Sequence, residues 1–121
     1  MAKNAKTYQF GVNEHGISLL FKACEIDSLQ YLRISPLNRA LANAADIFVN
    51  SPIKPGLVDK FLQLPLRGSV QVAVHYSDAK DITNFEVARD IINSAAERRT
   101  FNTEIFSVVL QHYIYVSHEN G

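Results

Sequence analysis

Apolar and polar residues alternate along two stretches of the chain, and each predicts a half-buried strand. Near the start, Tyr8, Phe10 and Val12 interleave with Thr7, Gln9 and Gly11. From Ser69 to Ser77, Val70, Val72, Val74 and Tyr76 share one face, and Gln71, Ala73 and His75 the other. Two further apolar runs fit either period. Ile17–Ile26 reads as a strand because Asn13–Gly16 before it looks like a hairpin turn, with Gly16 suited to positive φ. Its helical alternative groups Leu20, Phe21 and Cys24 with Tyr31 and Leu32. Asp27 and Ser28 then reverse the chain into a third strand, Leu29–Ile34. The last run, Thr103–His118, is rich in Ile, Val and Tyr and reads as a strand. Ile105, Phe106, Val109, Leu110, Tyr113 and Ile114 also fit helical spacing.

Three segments predict helices. Ser35 and Pro36 suit a cap and a first helical position, and Leu37, Ala40, Leu41, Ala44, Ile47 and Phe48 follow as an apolar stripe. Pro55 and Gly56 open a short helix with Leu57, Val58, Phe61 and Leu62 on one face. Thr83 and Glu86 have capping-box spacing, flanked by Ile82 and Val87 where a hydrophobic staple would put them. The expected order is β-β-β-α-α-β-α-β. It describes one α+β domain over 1–121, with 1–6 frayed. The architecture would be two-layer, a mainly antiparallel sheet of about five strands with two longer helices and one short helix on one face. The stretch Asn50–Pro55 is the most loop-like.

Charge narrows the partners. Twelve basic and twelve acidic residues cancel, which disfavours nucleic acid or an anionic membrane as the main partner and lowers the barrier to self-association. The single cysteine, Cys24, excludes an internal disulfide and a cysteine-rich zinc site. No run is apolar enough to cross a bilayer and no secretory h-region precedes the domain, so a cytoplasmic location is expected. Phosphate-loop, dinucleotide, zinc-protease and serine-hydrolase signatures are all missing from the sequence, and no catalytic residue, metal ligand or cofactor is assigned.

Four places can carry chemistry. His75, with Asp78 or Asp81 to orient it, has the makings of a general base at a strand end, although turn and helix-start chemistry also explains the two acids. If the last run is a strand beside Val70–Tyr76, one sheet face combines Gln71 and His75 with Ile105, Val109, Gln111, Tyr113 and Tyr115. That mixture suits a protein interface or a small-molecule pocket lined by His75, Tyr113 and Tyr115. His112 is an imidazole on an apolar face, and pairing with Cys24 would make a nucleophile. Tyr113 and Tyr115, with Arg98 and Arg99, outline a weak stacking platform for single-stranded RNA. The leading expectation is a binding or adaptor domain acting through protein–protein contact, homodimeric through the second sheet face or the last strand. A small-molecule binder or small enzyme comes next.

Overall fold

A computed structural model describes residues 5–52 and 55–119. The chain runs β1 (Lys6–Val12), α1 (Glu14–Tyr31), α2 (Leu37–Asn50), α3 (Pro55–Leu62), β2 (Val70–Tyr76), α4 (Ala79–Ala96) and α5 (Asn102–Glu119). The class is α+β, but the expected sheet of about five strands is wrong: among the described residues, β1 and β2 form a two-stranded antiparallel sheet and five helices make up the rest. Tyr8 pairs with Val74 and Phe10 with Val72. Both alternating stretches are therefore strands with the faces expected of them, and Tyr8, Phe10, Val12, Val74 and Tyr76 point into the core. Lys6 already belongs to β1, so of the expected frayed end only residues 1–4 lie outside the described residues, as do 53 and 54 of the loop-like stretch.

The two ambiguous runs are helices. In α1 the buried positions are Gly16, Leu20, Ala23 and Asp27, a spacing of four, three and four that a strand cannot produce. The supposed hairpin turn is its start: the Asn13 side chain caps it by accepting from the Gly16 N–H at 2.9 Å. Gly16 has no positive φ; it is small because an added Cβ would meet the Val12 Cβ at 2.7 Å. The expected third strand is the last turn of α1 and the connection after it.

α5 was disguised by its own burial. Ile105, Phe106, Ser107, Val108, Val109 and Leu110 are buried consecutively, so the helix has no polar face along this stretch and imitates a strand. It is the central element, packing against β1 and the other four helices. Phe106 stacks on Phe10 at 4.5 Å and lies 5.1 Å from Phe85, which itself lies 3.9 Å from Tyr8. This aromatic layer joins the inner face of the sheet to α4 and α5.

Helix ends also depart from expectation. α4 starts at Ala79, capped by Asp78, whose carboxylate accepts from the Lys80 N–H at 2.8 Å. Thr83 and Glu86 therefore sit inside the helix, where no backbone N–H is free to be capped. α2 has Pro36, not Ser35, at its cap; Ser35 is buried and donates its N–H to the Ser28 hydroxyl.

Candidate functional site

The residues proposed from the sequence separate into two groups. Gln71 and His75 stand on the exposed outer face of the ribbon, opposite Gly11 and Thr7. His75 Nδ1 lies 2.9 Å from the Thr7 hydroxyl; Asp78 is committed to its helix cap instead. Ile105, Val109 and Tyr113 are buried on α5. Gln111 donates to the Phe61 carbonyl at 2.8 Å and to the Ser107 hydroxyl at 2.9 Å, and exposed Tyr115 stands edge-on to Phe61. A helix in place of the last strand means that these seven residues do not form one sheet face. It also removes the pocket drawn from His75, Tyr113 and Tyr115, and the two-tyrosine stacking platform with it.

Tyr113 has another partner. Its hydroxyl donates at 2.9 Å to Asp27 Oδ1, which also accepts from Asn43 Nδ2 at 2.8 Å. Asp27 is fully buried, and its Oδ2 has no partner among the described residues. This link ties α1, α2 and α5 together inside the core. Burial, reinforced by the hydrogen bond to Asp27, pushes the Tyr113 hydroxyl well above its ordinary value. The same burial, with the Asp27 charge behind it, raises the Cys24 thiol and keeps it protonated. His112 is buried edge-on against Phe48 at 5.3 Å, with Nδ1 unpartnered among the described residues and its pKa lowered by desolvation. No hydrogen bond joins His112 to Cys24 among the described residues, and a protonated thiol beside a carboxylate is a poor nucleophile.

The most unusual surface lies on α1 and the turn after it. Phe21 is 72% exposed, Leu29 69%, Tyr31 49%, Leu32 88% and Ile34 91%. Phe21, Leu29 and Leu32 follow one another at eight and three residues, a single helical stripe away from the buried Leu20, Ala23 and Asp27. Between them lie Lys22 and Glu25, joined at 2.9 Å. The stripe ends in a strained residue. Leu32 closes the helix at φ 53°, donating its N–H to the Ser28 carbonyl, a left-handed position that glycine normally fills. A branched side chain there costs on the order of 1–2 kcal/mol, and it points into solvent without a core contact to offset this. Strands at Ile17–Ile26 and Leu29–Ile34, as the sequence pattern predicts, would hide this surface. The helical alternative puts Phe21 and Leu32 on one face but groups Leu20 with them, whereas in the structure Leu20 is buried and the other two are exposed.

None of the described helices is long and apolar enough to cross a membrane, and no cluster of metal-binding side chains occurs among the described residues. Comparison with protein families, with curated proteins and with solved structures finds no match.

Proposed function

We propose that this is a cytoplasmic binding domain that works through protein–protein contact and pairs with a second copy of itself along the outer face of α1. The observation that carries the reading is the exposure of Phe21, Leu29 and Leu32 along one stripe of α1 and its cap, with exposed Ile34 two residues beyond. Covering large apolar side chains contributes about 1.5–3 kcal/mol each when burial is complete, so such a stripe is normally an interface. The stripe brings no net charge to a second copy. The stripe carries one base and one acid, Lys22 and Glu25, flanked by apolar residues on both sides. Two copies laid antiparallel about Glu25 set Phe21 against the other copy's Leu29, and the Lys22 that pairs each Glu25 at 2.9 Å offsets the repulsion between the two facing carboxylates. The chain's zero net charge adds no repulsion.

Sedimentation equilibrium over a micromolar concentration series tests this. The expected result is a monomer–dimer equilibrium that the double substitution Phe21→Ser, Leu29→Ser shifts to monomer without loss of helicity. A monomer at every concentration would contradict self-pairing.

A further inference from the structure

We propose that the cleft on either side of Arg67 and Phe101 binds a small aromatic carboxylate. This goes beyond the α1 interface and uses none of its residues. The Arg67 guanidinium lies 5.2 Å above the Phe101 ring, and both side chains are exposed. On one side is an apolar cavity of about 190 Å³, walled by Leu62, Leu64, Pro65 and Leu66. On the other is a polar cavity of about 530 Å³ lined by Gln9, Gln71, Asn102 and Thr103. Arg67, Phe101 and Thr103 belong to both. The two open recesses meet at these three residues, which gives the cleft an apolar end, a hydrogen-bonding end and a cation between.

The walls are held in place before any ligand arrives. Asn13 fixes the Pro65–Gly68 segment by donating its Nδ2 to the Pro65 carbonyl at 2.7 Å and its backbone N–H to the Leu66 carbonyl at 2.8 Å. The Gly68 N–H donates to the Gly11 carbonyl at 3.2 Å, and the chains approach so closely that a Cβ on Gly11 would overlap the Gly68 carbonyl oxygen. Phe101 is held as firmly. Its N–H donates to Glu104 at 2.9 Å and its carbonyl accepts from the Ile105 N–H at 3.0 Å. A rigid backbone on both sides lowers the cost of ordering the site.

Charge selects the ligand. Glu104 also lines the apolar cavity, but both of its oxygens are taken by Arg98, at 3.1 and 2.7 Å. Arg67, by contrast, has no carboxylate within 4.0 Å among the described residues. It lies near enough to Glu104 to help hold that carboxyl down, but its donors are not taken up by an ion pair, and a planar fork of donors matches a carboxylate. A ring seated against Phe101 and Pro65 would leave its carboxylate beside Arg67, with the Gln71 and Asn102 amides beyond.

The test is an amide-shift titration of the nitrogen-labelled full chain with hydrocinnamate and, separately, with hydrocinnamyl alcohol, which keeps the ring and removes the charge. The acid should bind about tenfold or more tightly than the alcohol, with shifts concentrated at residues 62–67 and 101–107. Arg67→Gln should bring acid and alcohol to equal affinity, and Phe101→Ala should weaken both. Thermal melts confirm that each variant is folded, and Arg67→Lys, which keeps charge without the fork, should retain part of the preference. No saturable shift at millimolar acid, equal binding of acid and alcohol by the native chain, or shifts centred elsewhere would overturn the proposal.

Discussion

α1 and α5 are both helices of 18 residues, and both carry apolar side chains on more than one face. Their surroundings differ. α5 is wrapped by β1 and the other four helices, so its apolar surplus is absorbed within the chain. α1 buries only the face of Leu20, Ala23 and Asp27, leaving Phe21, Leu29 and Leu32 in solvent. Two-faced apolarity therefore has two causes, and only the helix at the periphery needs a partner. A central helix supplies stability, and a peripheral one with the same surplus supplies a surface.

The comparison can be broken most forcefully by truncating the same residue type on each helix. Phe106→Ala on α5 should cost about 3–5 kcal/mol in urea unfolding, because it empties the aromatic layer shared with Phe10 and Phe85. Phe21→Ala on α1 should leave the stability of the isolated monomer within about 0.5 kcal/mol, because that side chain is mostly in solvent. Equal losses would mean that α1 is not a free surface.

The buried link between the two helices comes next. Asp27→Ala strands the Tyr113 hydroxyl in the core, takes the partner from the half-buried Asn43 amide and should cost about 2–5 kcal/mol. Tyr113→Phe removes one hydrogen bond and should cost about 1–3 kcal/mol. If Asp27→Ala proved as stable as the native chain, Asp27 would not be the tie that orients α1 against α5.

The smallest effect concerns pH. Burial lowers the pKa of His112 below its ordinary 6.5, so the unfolded chain holds a proton there that the folded chain resists. The stability this neutral imidazole contributes is present above about 6.5 and lost as pH falls through the folded value. Glu104, held down by Arg98, follows the same sign at lower pH, losing its contribution below about 4.5. His112→Phe should flatten the upper part of this acid decline while leaving the carboxylate part, as urea midpoints between pH 7 and 3 would reveal. An unchanged upper slope would place the titration elsewhere.

What the sequence made legible follows from exposure to water. β1 and β2 have one wet and one dry face, so their alternation was readable residue by residue. α2 was readable for the same reason, with Leu41 and Phe48 inside and Asn38 and Asn50 outside. α5 lost its period because water reaches none of the positions from Ile105 to Leu110. α1 was hidden by two inversions: a carboxylate, Asp27, occupies a core position, and apolar residues occupy the solvent side. Asp27 looked like a turn residue because nothing local shows that Tyr113 and Asn43 wait for it. Gln71 lies on the exposed face of the ribbon, as its alternation with Val70 and Val72 predicts. Nothing local to either residue shows that Arg67 stands over Phe101, a contact made only by tertiary folding.

The central claim, that the outer face of α1 is a contact surface kept at some cost to folding, is tested most directly at Leu32. Glycine accepts the left-handed backbone that leucine resists, so Leu32→Gly should be no less stable in urea than the native chain. The same substitution removes the end of the apolar stripe, so sedimentation equilibrium should show dimerisation weakened about tenfold or more. A stable variant that pairs as tightly as the native chain, or a native chain that stays monomeric throughout, would contradict the account.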